Sequence, residues 1–395
     1  MGQEQDRAEK DGTPAGGVTD WDDFPRRIKG EVFERLSKVI DPELGRSITD
    51  LGMITDITVV PRRDTAEADY DVTVRVELTI KGCPLSQSIT NQINGVVSSY
   101  PKARLNPHID VTSMSEEKLN NLVADLKAAR RSNPFNKPGV KTRIFAIASG
   151  KGGVGKSSVT ANLAATLAAL GYDTAVIDAD IYGFSLPGLF GVDTHPTNLN
   201  GMLMPVTAWG VKLISIGMFA GADRAILWRG PRLQRSLEQF LSDVWWGDPD
   251  VLLLDLAPGT GDMALSVAQA LPNSELVVIT TPQPSASDVA VRSGLVALQL
   301  PIRVRGVVEN MSWYEHRGER LHIFGEGGGK RVSDQLTEAL GYPVPLLEQL
   351  PLQPEVRTVG ESGRPVVLAP DGSLDDSGLS HRFVDLARTL MSDPS

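Results

Sequence analysis

Residues Gly150-Lys151-Gly152-Gly153-Val154-Gly155-Lys156-Ser157 satisfy the pattern G-x-x-x-x-G-K-[ST]. They lie between an apolar run, Ile144 to Ala148, and helical spacing from Ser157 to Leu170, the strand–loop–helix setting in which the pattern has a physical role. The glycines let successive backbone N–H groups close around phosphate oxygens, and the helix N-terminus adds positive potential. Lys156 is placed to bridge the terminal phosphates and the Ser157 hydroxyl to ligate Mg²⁺. A purely structural glycine turn does not require Lys and Ser at these two positions.

Further buried-strand candidates are Thr174 to Ile177, Val251 to Leu256, Leu276 to Thr280 and Val304 to Val308. Each is a continuous apolar run, as expected of strands covered on both faces, so the spacing predicts a parallel sheet between helices, an α/β fold. Asp178 and Asp180 close the second strand and Asp255 closes the run Leu252 to Leu254. Their carboxylates therefore fall at the C-terminal edge of the sheet, where open α/β folds bind ligands.

The chain has 395 residues, enough for two or three domains. Residues 129–143 carry five basic and no acidic side chains, two prolines and a glycine, and read as a solvated linker. Before it, residues 26–128 form a small α+β pattern: helical spacing over Glu31 to Ile40, strict alternation from Val72 to Ile80, and a helix opened by Pro84. Cys83 sits at that helix's N-terminus. Residues 1–25 read as a disordered tail and 144–390 as the parallel-sheet P-loop domain.

The formal net charge of −10 disfavours nonspecific binding to nucleic acid or to an anionic membrane, and no apolar run approaches the ~18 residues of a membrane span. The first twenty residues lack the apolar run of an export signal, so a cytoplasmic location is expected. Cys83 is the lone cysteine, which excludes an intrachain disulfide and any centre of four thiolates from one chain.

The segment Ser149 to Ser158, SGKGGVGKSS, resembles the deviant P-loop of the signature-lysine ATPases, relatives of nitrogenase iron protein and of the Min and Par ATPases. That resemblance implies a homodimer in which Lys151 reaches the nucleotide of the facing subunit, an arginine-finger-like role. It also implies that Asp180, in switch I, positions the attacking water and that Asp178 supports the metal shell.

Asp255-Leu256-Ala257-Pro258-Gly259-Thr260-Gly261-Asp262 resembles the DxPPGTGD switch II of one branch, the Mrp/ApbC family of iron–sulfur cluster carrier ATPases. Trp228-Arg229-Gly230-Pro231 is similar to that family's WRGP and Val308-Glu309-Asn310-Met311-Ser312 to its VENMS. SITDLGMI, the strand after it and Gly82-Cys83-Pro84 resemble the cluster assembly domain fused ahead of many members, so the likeness spans roughly residues 30 to 365.

The resemblance implies a Mg²⁺-dependent ATPase that passes iron–sulfur clusters to apoprotein clients, with moving switch segments at 178–187 and 255–262. ATP would be held by Gly150, Lys151, Gly152, Gly153, Val154, Gly155, Lys156, Ser157 and Ser158, with Gly259 and Gly261 sensing the γ-phosphate. Asn310 would bond adenine, and Pro351 and Leu352 would flank it. Lys151, Lys156 and Asp180 carry the catalytic roles; Ser157, Asp178 and Asp255 are the candidate Mg²⁺ residues.

One feature departs from the family. Cluster-carrying members place a C-x-x-C after the VENMS segment, and here no cysteine follows Asn310; His316 and Glu319 fall at those places. Histidine replaces thiolate on iron in Rieske centres, whereas a carboxylate favours harder ions; solvated loop residues are the plainer reading. Cys83 reads equally as a thiolate activated by the helix N-terminus, serving as nucleophile or cluster ligand, and as a small buried hydrophobe. In a homodimer two such thiols supply half of a four-thiolate set.

Two alternatives follow: a cluster-free, nucleotide-dependent scaffold or regulator, and a Min/Par-type spatial organiser relying on the weakly amphipathic tail HRFVDLARTLMSDPS. The glycine-rich stretch 324–329 is expected to be flexible or to make dimer contacts.

Overall fold

The computed structural model describes residues 24–62, 69–79, 86–128, 133–180, 183–219, 230–259, 262–300 and 302–393. The chain forms two compact units that divide between Leu122 and Val123.

In the first unit, α1 (Phe24–Leu36) is followed by β1 (Ile54–Pro61), β2 (Asp69–Leu78), α2 (Ser86–Ser98), β3 (Arg104–Ser113) and α3 (Glu116–Ala128), within which the division falls. The sheet order is β1-β2-β3, antiparallel then parallel. Val72, Val74, Val76 and Leu78 of β2 are buried and Arg75 is exposed, as the alternation predicts. The helix expected over Glu31 to Ile40 instead ends at Leu36, and Ile40 pairs with Ser47. A turn intervenes, fixed by Asp41, whose carboxylate accepts from the Glu43 and Leu44 amides at 2.9 and 2.8 Å. Cys83 and Pro84 lie outside the described residues.

The second unit takes in part of the segment expected as a solvated linker. Asn133 caps a turn over Pro134–Asn136, the side-chain amides of Asn133 and Asn136 both donate to the Ala270 carbonyl, and Phe135 is buried in the core. Charge and proline content hid a single aromatic anchor. The chain then enters β4 (Arg143–Ser149), α4 (Lys156–Ala169), β5 (Thr174–Ala179), the one-turn α5 (Leu186–Leu189), a short ladder of β6 (Thr197–Leu199) and β7 (Met202–Met204), and the hairpin β8 (Val206–Ala208) and β9 (Val211–Ser215). There follow α6 (Gly230–Ser242), β10 (Val251–Leu256), α7 (Asp262–Ala270), β11 (Glu275–Thr280), α8 (Pro284–Leu295), β12 (Arg303–Glu309) and the hairpin β13 (Tyr314–His316) and β14 (Glu319–Leu321). The unit closes with α9 (Gly328–Leu340), β15 (Leu346–Gln349), α10 (Pro354–Gly360) and α11 (Gly378–Met391).

Its main sheet has eight strands in the order β15-β12-β11-β4-β10-β5-β9-β8, parallel throughout except for the antiparallel edge strand β8. The apolar runs are continuous because each feeds two cores. Ile144, Ala146 and Ala148 join Leu252, Leu254 and Leu256 on one face; Phe145 and Ile147 join Val251 and Leu253 on the other. The alanine-rich α4 is buried on nearly every side, so it lies close against the sheet. Phe383, Leu386 and Leu390 of α11 belong to the same core, which leaves the apolar face of the C-terminal helix engaged within the fold. Among the described residues no helix is long and apolar enough to cross a membrane.

Candidate nucleotide site

The loop from β4 to α4 approaches α8 backbone to backbone. A Cβ on Gly150 would stand 2.3 Å from the Val289 carbonyl carbon, so only glycine fits there. Gly155 is constrained twice: its φ is +82°, and an added Cβ would meet Asn310 Nδ2 at 2.3 Å. The Asn310 amide donates to the Val154 carbonyl at 2.9 Å, fastening the end of β12 to the loop.

Parallel pairing places Asp178 of β5 opposite Asp255 of β10, at the strand ends beside the loop. Asp255 is fully buried; its Oδ2 accepts from Ser157 Oγ at 2.6 Å and forms an ion pair with Lys156 Nζ at 2.7 Å, and Lys156 is 6% exposed. Its Oδ1 accepts from Thr160 Oγ1 at 2.7 Å. Lys156, Ser157 and Asp255 are thus brought together as the motif spacing implies, and Thr160 joins them, which the sequence reading missed. Its signal was the i, i+3 spacing from Ser157 on one helix face.

The cavity over the loop, about 370 Å³, is lined by Lys151 to Ser158 together with Ser149, Asp180, Gly183 and Pro258. Asp180 Oδ1 accepts from the Gly183 amide at 3.0 Å, which holds this carboxylate at the cavity wall. Asp178 is spent inward: it accepts from the Asp180 and Leu186 amides and from Ser215 Oγ. Burial, and after it the neighbouring Asp255 carboxylate, push its pKa up to about 7. Lys151 Nζ donates to Ser285 Oγ at 3.1 Å at the start of α8. Gly259 is in the left-handed region at φ +111° and its amide donates to the Ser149 carbonyl, joining the segment after β10 to the loop. Thr260, Gly261, Trp228 and Arg229 lie outside the described residues.

A second cavity of about 530 Å³ shares Ser158 with the first and is lined by Met311, Leu352, Gln353, Val356 and Arg357, together with Ser185, Gly188 and Leu189. Of the residues expected around a base, Leu352 lines it, Pro351 is buried behind, and Asn310 bonds the loop. Met311, at φ +58°, was not foreseen; a left-handed non-glycine residue at a cavity wall marks a functional position only once the backbone is seen.

His316 and Glu319 face each other across the two-residue turn Arg317–Gly318 of the β13–β14 hairpin, whose positive φ angles of 52° and 82° are those of a tight hairpin turn. Both are exposed. Among the described residues no group of three or more His, Cys, Asp or Glu is placed to hold a metal ion. Trp313 anchors the hairpin between the Arg320 and Arg382 guanidinium groups, 4.3 and 4.8 Å from its ring centre. Within the glycine stretch 324–329, Gly327 caps α9, and Gly328 and Gly329 pack tightly against Pro282 and Glu309.

The hydroxyl of Ser157 and the carboxylate of Asp255 are hard oxygen donors, the set that fits Mg²⁺, beside a lysine and a nest of backbone amides that fit phosphate. A parallel sheet with this loop at its switch from β4 to α4 defines a P-loop NTPase. Residues 140–390 match the family model described as NUBPL iron-transfer P-loop NTPase, and residues 29–104 match that of the iron–sulfur cluster assembly protein. The chain belongs to the NUBPL iron-transfer P-loop NTPase family.

Relatives called iron–sulfur cluster carrier protein include one from Mycobacterium bovis, 48% identical over 93% of this chain and 97% of its own length. One from Mycobacterium leprae is 45% identical over 92% and 93%, and one from Bacillus subtilis 36% identical over 82% and 88%. Among solved structures, a nucleotide-binding protein from Archaeoglobus fulgidus in complex with ADP is 34% identical, with TM-score 0.49, covering 58% of this chain and 90% of that one.

Proposed function

We propose that the second unit binds ATP with Mg²⁺ and hydrolyses it with water, and that a homodimer uses this cycle to deliver iron–sulfur clusters to apoprotein clients. The observation that carries the ATP reading is the pairing of buried Lys156 and Asp255 with Ser157 at the base of a glycine-loop cavity. Mg²⁺, when bound, neutralises charge on the phosphates. Lys156 supports the terminal phosphates, Asp180 at the cavity wall orients the attacking water, and the groove lined by Met311 and Leu352 takes the base. Lys151, on a flexible stem at the cavity rim, supplies charge to a facing subunit. Asp178 holds the Asp180 and Leu186 amides of switch I, and Gly259 of switch II bonds the loop; both segments move when the nucleotide changes.

The cluster is cargo. Its support comes from the family and from relatives named as cluster carriers at up to 48% identity. Anaerobic incubation of the full chain with iron and sulfide, alongside Cys83→Ser, tests it: absorbance near about 400 nm in wild type and its loss in the variant assigns the thiol. No absorbance in either protein removes cluster binding. A second reading, a nucleotide-dependent scaffold that holds no cluster, is favoured by one observation: the hairpin at the place of the family's C-x-x-C offers only the exposed pair His316 and Glu319.

A further inference from the structure

Ser157 and Thr160 lie three residues apart on α4 and grip opposite oxygens of one carboxylate. Ser157 Oγ is 2.6 Å from Asp255 Oδ2 and Thr160 Oγ1 is 2.7 Å from Asp255 Oδ1. An ionised carboxylate only accepts, so the proton in the second contact belongs to Thr160. The same hydroxyl lies 3.0 Å from the Lys156 carbonyl, but it has one proton, and the shorter, charge-assisted contact claims it. Thr160 and Asp255 are both fully buried, so no water substitutes for this bond.

The terminal torsion of an aspartate is broad and roughly two-fold, so a carboxylate held at one oxygen only is free to rock. We infer that Thr160 is a positioning residue: it holds Oδ1 so that Oδ2 stays turned toward Ser157 Oγ, and the two oxygens that fit Mg²⁺ remain side by side. This rests on the Mg²⁺–nucleotide reading above. Nucleotide binding without metal depends on the loop amides, which this bond does not reach, and on Lys156, whose Nζ also pairs with Oδ2 at 2.7 Å. The loss on removing the Thr160 donor is therefore expected to be greater with the metal than without it.

The test uses the full chain as wild type, Thr160→Val and Thr160→Ser, with calorimetric binding of a non-hydrolysable ATP analogue at stepped Mg²⁺ and again in EDTA. Valine keeps the shape and removes the donor; Thr160→Ala is the second donor-free variant should valine fold poorly by its melting temperature. Thr160→Val is expected to raise the Mg²⁺ concentration for half-maximal effect roughly ten-fold or more, the size of one lost hydrogen bond to a charged group. The loss of affinity in EDTA is smaller than the loss with Mg²⁺, and serine restores the wild-type midpoint to within about three-fold, as a donor-only role requires. An unchanged Mg²⁺ midpoint in the donor-free variant, an equal loss in EDTA, or failure of serine to restore overturns the inference. If wild type itself binds nucleotide with no Mg²⁺ dependence, the metal reading of the site falls, an outcome distinct from an effect-free Thr160→Val beside a Mg²⁺-dependent wild type.

Discussion

Lys156 Nζ lies 2.7 Å from Asp255 Oδ2 with both side chains buried, so the charge proposed to meet phosphate is balanced by the carboxylate proposed to meet metal. Neither charge is tolerable there alone, because a buried ion without its partner bears an unrepaid desolvation cost. The loop lysine is thereby held inside the site.

Lys156→Ala removes the cation while leaving the loop amides, Ser157 and Thr160. Nucleotide affinity is expected to fall roughly 100-fold, the loss of about two charge-assisted hydrogen bonds. Calorimetry against ATP with Mg²⁺ checks it, and affinity within a few-fold of wild type contradicts the role.

Lys151 behaves differently, because it stands at the rim with its ammonium on Ser285 Oγ. Lys151→Ala is expected to bind ATP normally and to hydrolyse it roughly a thousand-fold more slowly, the scale of a charge supplied to the transition state in trans. Unchanged turnover in a phosphate-release assay ends the signature-lysine assignment.

Two glycines of the same loop separate packing from function. Gly150→Ala forces a Cβ to within 2.3 Å of the Val289 backbone, whereas at Gly152 the nearest atom is Pro258 Cγ at 4.0 Å. Gly150→Ala should cost about 1–3 kcal/mol or more through overpacking, seen as a lower melting temperature. Gly152→Ala should melt with wild type; equal destabilisation of the two discounts the α8 contact.

Asp178 gives a pH dependence of known sign. Its ordinary value of 3.8 is raised to about 7 in the folded protein, chiefly by burial. Between these values the folded state holds a proton that the unfolded state has lost, so this group's stabilising contribution is full at low pH and declines as pH rises toward 7. In EDTA without nucleotide, the melting temperature of wild type should fall more steeply from pH 5 to pH 7 than that of Asp178→Asn. Parallel curves contradict the raised value.

Much of the fold was legible because two-sided burial writes itself as unbroken apolar runs, and β4, β10, β11 and β12 begin and end within a residue or so of those runs. The loop residues were legible for a related reason: a phosphate cradle needs glycine, lysine and serine at set offsets. What escaped the reading has no periodic signature. β3 exposes most of its residues and carries Pro107, β8 and β15 are short, and the lead-in to β4 hides one buried aromatic, Phe135, among charges.

By itself the sequence determined the phosphate loop, the parallel sheet and the acidic strand ends, since each depends on local residue order and burial period. Only the tertiary structure decided how those acids divide their work. Parallel pairing sets Asp178 beside Asp255, burial turns one toward the switch I amides and the other toward Lys156 and Ser157, and α4 brings Thr160 to the far oxygen. Those assignments depend on which side chains meet across strands and helices distant in the chain, a matter of packing that residue order alone does not contain.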